Sequence, residues 1–212
     1  MRKILIPTAI AALILPFGAA VASADTGPHP SPKQEQRNTF TYALLVPVAN
    51  NRVQGIGSAT VNLHGNEAKI TIHVRGLLNH APHAMHIHVK GNGECPTAKD
   101  SRLHNGHLAT STTDGLRAYG AIGTSLTTTG DTSPNSALAV DRFPSTGTYT
   151  YSRTIHITKD VADQVRRDNA VVVVHGIDFN KNGKYDNVLG ASELNPALPQ
   201  EATAPALCGP LH

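Results

Sequence analysis

Apolar and polar side chains alternate one for one in several segments of this sequence, and that period leaves little choice of fold. Between Lys69 and Arg75, Ile70, Ile72 and Val74 fall on one side, while Thr71, His73 and Arg75 fall on the other. A period of two belongs to a β-strand with one buried face; a helix would scatter the same residues around its circumference. The run from Ile56 to His64 repeats the pattern, with Val61 and Leu63 opposed to Asn62 and His64, and Gly65-Asn66 supplies the turn between the two. Phe40, Tyr42 and Leu44 alternate with Thr39, Thr41 and Ala43. Further strands are predicted over Ala84–Val89, Leu116–Thr128, Thr148–Thr158 and Ala170–Val174, separated by Gly, Pro, Asn and Asp clusters. One helix is expected over Asp160–Asp168, with Asp160 as N-cap and Val161 and Val165 on one side. Charged residues are only 16% of the 212, and Gly and Pro number 18 and 14, a balance that suits a turn-rich β domain. About seven short strands imply an all-β fold, an antiparallel Greek-key β-sandwich or barrel with one short helix, as a single domain over residues 39–212.

The front of the chain reads differently. Arg2 and Lys3 precede an apolar run from Ile4 to Val21, which ends in Ala22-Ser23-Ala24. A basic start, an apolar middle and a small-x-small site read as a signal peptide over residues 1–24. A membrane anchor is the alternative, but Pro7 and Pro16 break the run. Residues 25–38 are polar and Pro-rich, and read as a flexible leader. Loss of Arg2 and Lys3 lowers the formal charge from +3 to +1, so no basic patch argues for nucleic acid. The mature form is expected to be secreted or extracytoplasmic, with no transmembrane segment. In such a compartment the 2 cysteines, Cys95 and Cys208, are expected to pair across 113 residues.

Against 2 cysteines stand 12 histidines, which points to metal. In His83-Ala84-Met85-His86-Ile87-His88-Val89, strand geometry puts His86 and His88 on one face and sends Met85, Ile87 and Val89 into the core. Two imidazoles on a rigid strand suit copper or zinc, although the same pair could also be solvated residues on a polar face. Val171-Val172-Val173-Val174-His175 is a buried strand ending in a third imidazole, and the loop from Asp100 to His107 offers His104 and His107 as well. There is no Gly-x-Ser-x-Gly elbow and no phosphate-cradling Gly-rich loop.

Taken in order, Arg75-Gly76-Leu77-Leu78, His83-Ala84-Met85-His86-Ile87-His88, Cys95, His104 with His107, Val173-Val174-His175 and Leu207-Cys208-Gly209 resemble the copper/zinc superoxide dismutase family. Residues 40–90 are equally similar to the chordin-type (CHRD) repeat. The first resemblance implies that His86, His88 and His175 are copper ligands. It implies that His104 or His107 is the imidazole bridging copper and zinc, and that His83 is structural. His64, His73 and His156 sit at outward strand positions and His29 and His212 near the ends, and none of these is expected in a site.

Two departures shape the expectation. The family's remaining zinc ligands fall on Ala118 and Ala121, which carry no donor, so a family-type zinc site is not expected. The family's anion-guiding arginine, three residues before the second cysteine, is Pro205 here. A separate motif, Asp178-x-Asn180-x-Asn182-Gly183-x-x-Asp186, carries the oxygen ligands of a calcium loop but ends on Leu189 instead of a bidentate Glu. A polar Asn-Gly turn is the simpler reading. The expected function is an exported, copper-binding, superoxide-dismutase-like protein, a weak copper-only dismutase acting on superoxide or another small redox species. The alternative is a non-catalytic CHRD-type module with a protein or cell-envelope partner.

Overall fold

The alternating segments pair with one another first. In the computed structural model, which describes residues 38–212, strands β1 (Asn38–Pro47), β2 (Ile56–His64) and β3 (Glu67–Arg75) form an antiparallel meander. The expected signal peptide at 1–24, and all of the leader but Asn38, lie outside the described residues. Strand β4 (Met85–Lys90) follows, and then a small hairpin of β5 (Arg102–His104) and β6 (His107–Ala109). Helix α1 (Thr112–Tyr119) leads directly into β7 (Gly120–Ser125). Strand β8 (Tyr149–His156), helix α2 (Lys159–Arg166), β9 (Ala170–His175), a single turn α3 (Gln200–Thr203) and β10 (Pro205–Pro210) complete the order.

All eight main strands are antiparallel in one curled sheet of order β7-β4-β9-β10-β1-β2-β3-β8. The all-β expectation therefore holds. The sheet has two halves, β8-β3-β2-β1 and β10-β9-β4-β7, joined where Val46 and Pro47 of β1 pair with Cys208 and Leu207 of β10. Ile70, Ile72 and Val74 from one half meet Met85, Ile87, Val172 and Val174 from the other in the main core. On β1 the inward positions are Thr41, Ala43 and Leu45, so Phe40, Tyr42 and Leu44 face solvent, Phe40 at 67% exposure.

The differences from the sequence reading have local causes. The strand expected over Leu116–Thr128 begins as helix, because Ser111 and Asp114 form a capping box that starts α1 at Thr112. Gly120 ends that helix at φ +85°, where any side chain is strained, and its Cβ would lie 2.0 Å from Val89 O. Helix α2 is capped by Thr158, whose side chain accepts from Val161 N, two residues before the expected Asp160. Strand β10 carries Pro205 and Pro210 at its two ends, where missing N–H groups cost least, and so escapes a pattern search.

Strand β9 is buried on both faces, and its second face needs a cover. Val171 and Val173 pack there with Tyr119 of α1, Val48 and Cys208. The expected Cys95–Cys208 disulfide forms, with Cα atoms 5.8 Å apart, and pins the segment before β5 onto this face. Reduction should therefore lower stability by roughly 2–5 kcal/mol. Urea unfolding with and without reductant measures this, and coincident midpoints would show that the bridge constrains nothing.

Candidate metal centre

The covered face of β4 and β9 is where three histidines converge. Met85, Ile87 and Val89 occupy the main core, which leaves His86 and His88 on the opposite face of β4. Across the ladder they stand opposite Val173 and Val171, and His175 continues that row of β9. The three side chains are buried, at 3%, 1% and 2% exposure. Each offers one nitrogen to a group whose members all lie within 4.8 Å of one another. Three points no more than 4.8 Å apart lie within about 2.8 Å of a common centre, against metal–nitrogen bonds of about 2.0–2.1 Å. The three are thus within a fraction of an ångström of sharing one ion.

Hydrogen bonds decide which nitrogen each ring offers. His86 Nε2 donates to Ala137 O at 3.1 Å, His88 Nδ1 to Gly120 O at 2.8 Å, and His175 Nδ1 to Thr203 O at 2.7 Å. A carbonyl only accepts, so each of these nitrogens carries the proton. The opposite atoms, His86 Nδ1, His88 Nε2 and His175 Nε2, are buried and have no hydrogen-bond partner. Unpartnered buried polar atoms are rare in folded proteins, and here each of three clustered rings carries one. This is how ligating histidines are held in metal sites, with the second N–H on a carbonyl that fixes ring and tautomer. The group therefore could hold a metal ion.

Burial keeps the rings neutral. Desolvation first, then the neighbouring histidines, push His86 well below its ordinary value. Desolvation, followed by His175, pushes His88 down to about 3. Desolvation lowers His175 to about 4 against the opposing pull of its bond to Thr203. Edge contacts hold the rings in place: Phe143 lies 5.8 Å from His86, and Tyr119 lies 4.5 Å from His88.

The other candidates lie elsewhere. His104 and His107 face each other across the β5–β6 hairpin and do not join the three. His104 Nε2 is 2.6 Å from Asp114 Oδ2, the carboxylate that also accepts from Ser111 N in the α1 capping box. His107 packs edge-on against Phe179 at 5.6 Å. His83 fits a structural role: its nitrogens lie 3.0 Å from His175 O and 2.9 Å from Leu78 O, tying the segment before β4 to the end of β9. His64, His73 and His156 meet Asn38, Thr150 and Glu67 on outward positions. Ala118 lies in α1 and Ala121 on β7, and neither can ligate.

In the segment from Asp178 to Asp186 the oxygens are engaged within the turn. Both carboxylate oxygens of Asp178 accept backbone N–H groups, from Asn182 at 2.9 Å and Gly183 at 2.8 Å. Asp186 accepts from the side chains of Asn180 and Asn182 and from Val188 N. Leu189, at the twelfth position, is buried in the core.

Sequence reasoning missed the three carbonyls that orient the rings. Only one leaves a trace in the sequence, since Gly120 closes a helix that Ser111-x-x-Asp114 opens.

Because the folded-state values of these histidines lie below the ~6.5 of an unfolded one, the unfolded chain takes up protons that the folded chain refuses. The stability of metal-free protein should thus be complete above about pH 6.5 and decline as pH falls toward 4, by up to about 1.4 kcal/mol per pH unit per histidine. Urea midpoints at several pH values test this; a flat profile across that window would mean that the rings are not held neutral by burial. No protein-family model matches the sequence and no curated protein does, so what the chain does must be read from these three imidazoles and their surroundings.

Proposed function

We propose that this chain is an exported copper-binding protein of the superoxide-dismutase-like type, with one three-histidine copper centre and no zinc site beside it. The observation that carries the reading is the set of three unpartnered lone pairs, one each on His86, His88 and His175, with tautomers set by backbone carbonyls. The donor set suits both states of copper: the Irving–Williams order places Cu(II) above Zn(II) at an imidazole site, and Cu(I) is favoured on electrostatic grounds. Three neutral imidazoles bring no negative charge, and the cost of burying an ion rises with the square of the charge that remains. Monovalent copper leaves half the charge of zinc in the same buried cage. Imidazole suits copper as well as zinc, and three ligands leave a coordination position open. When bound, copper supplies one-electron exchange.

The residues around it do the remaining work. Tyr119 and Phe143 hold the rings and exclude water. Guidance of an anion is poorly provided. Pro205, at the position of the family's guiding arginine, pairs with His175 at the start of β10 and carries no charge. His104, engaged with Asp114, is not free to carry a proton to the site. Dismutation of superoxide is therefore expected to be weak. A second reading, the chordin-type module with a protein or cell-envelope partner, draws on the outward row of Phe40, Tyr42, Leu44 and Val46 on β1. The disulfide is compatible with export, and no helix among the described residues is long and apolar enough to cross a membrane.

The full chain should take up one copper ion, preferring Cu(I) to Zn(II), and His86→Ala with His88→Ala should abolish uptake while the fold persists. Metal analysis and circular dichroism read the two outcomes; unchanged stoichiometry in the folded double variant would refute the site. Any superoxide consumption by the loaded protein should fall well below the diffusional ceiling of about 10⁸–10⁹ M⁻¹s⁻¹ and respond weakly to salt. A folded chain that binds no copper would move the assignment to the module.

A further inference from the structure

We propose that the partner of this centre is a neutral, apolar small molecule, admitted through an uncharged cavity that reaches His86 and His175. The inference rests on the copper reading for the metal and on the cavity for the ligand class. The cavity measures about 450 Å³ and meets the rings of His86 and His175. That volume lies within the range of about 300–1,000 Å³ typical of small-molecule sites.

Its walls are set largely by two connecting segments. Leu138 and Val140, from the connection between β7 and β8, stand on one part of the lining; Leu194, Leu198 and Pro199, from the connection between β9 and α3, make up another, and Ile122 of β7 adds to it. None of the described residues lining the cavity is Asp, Glu, Lys or Arg. Its hydroxyls are already engaged: Thr112 Oγ1 donates to Thr203 O at 2.6 Å, Thr203 Oγ1 pairs with Ser192 Oγ at 2.7 Å, and Tyr185 donates to Pro82 O at 3.1 Å. Val140 and Leu194 leave 41% and 43% of their surface open to solvent.

These features discriminate between guests. A small anion entering here would lose its hydration and meet no cationic side chain and no free donor before the metal, which is costly. An aryl or alkyl body would instead remove the apolar lining from water, which is favourable in proportion to area. One lone pair on such a molecule could then take the open coordination position. The fit to a neutral guest and the absence of a guiding charge at Pro205 point the same way.

The test uses the full chain, metal-free and copper-loaded. N-phenyl-1-naphthylamine, a neutral dye that brightens in apolar surroundings, reads the cavity in the metal-free protein. Imidazole, 4-phenylimidazole and azide, titrated into the copper-loaded protein, read cavity and metal together. The expectation is dye binding, a preference of at least ~tenfold for 4-phenylimidazole over imidazole from burial of the phenyl ring, and azide no tighter than imidazole. Val140→Lys with Leu194→Lys, at two exposed positions, should remove that preference and the dye signal while the thermal midpoint moves little; either single substitution should give part of the effect. Equal affinities for the two azoles, a tighter azide, or dye fluorescence indifferent to the substitutions would overturn the proposal. Dye binding that depends on Val140 and Leu194 in a chain that takes up no copper would sink the copper reading and leave the apolar site. Copper uptake with no preference for the phenyl ring would do the reverse.

Discussion

A neutral imidazole has one N–H and one lone pair, and in this protein three backbone carbonyls determine which nitrogen carries which. The carbonyls of Ala137, Gly120 and Thr203 each accept from one ring. Because those bonds bind the N–H, the lone pairs of His86, His88 and His175 are left buried without a hydrogen-bond partner. The arrangement is costly to the metal-free fold, since an unmade buried hydrogen bond sacrifices about 1–3 kcal/mol. An ion that accepts all three lone pairs would recover that energy. The same bonds couple the site to structure that is otherwise remote from it: Gly120 closes α1, Thr203 ends the single turn α3, and Ala137 belongs to the long connection before β8.

That coupling ties α1, α3 and the connection before β8 to the outer face of β4 and β9, while α2 packs into the main core. The β1–β3 half of the sheet has an outward face of Thr, Asn, Lys and Arg with one apolar row, and water can cover most of it. Strands β4 and β9 are buried on both faces, so their outer surface, which carries the three histidines, must be roofed. Tyr119 and the disulfide cover one end of it. Asn51, fully buried, fastens the roof by bonding Thr110 on both its N–H and its carbonyl, and Pro205 O as well. The roof is therefore packed at this end and gives way to the cavity beside His86 and His175.

How much of this is visible in the residue string depends on which atoms do the work. Side-chain alternation reports strand faces directly, so Val61, Leu63, Ile70, Ile72 and Val74 are inward in the fold as in the pattern. The alternation of β1 has the same period but says nothing about which set faces in, and there the smaller Thr41 and Ala43 are buried opposite Val61 and Ala59. His86 and His88 share a face through period two, and His175 joins them because β9 runs antiparallel beside β4 in the register that pairs Met85 with Val174. The resemblance to known metal sites drew His104 and His107 toward the centre, but the nearer attraction is local: Asp114, ten residues on, is already fixed as a helix cap and takes the His104 ring. Main-chain carbonyls leave almost no signature in a sequence, and that is why the three clustered rings were legible and their orientation was not.

The absence of charge follows one thread through the whole centre. Neutral ligands, alanines at the two zinc positions and a proline at the arginine position each remove a charge or a donor that the resembled family keeps. Taken singly, each is a loss. Taken together, they leave the carboxylate of Glu193, near enough to His175 to oppose its desolvation, as the charge that acts on this ring. Three rings held neutral, a packed cover over one end of β4 and β9, and a cavity beside His86 and His175 with no charged side chain in its lining thus belong to one low-charge setting.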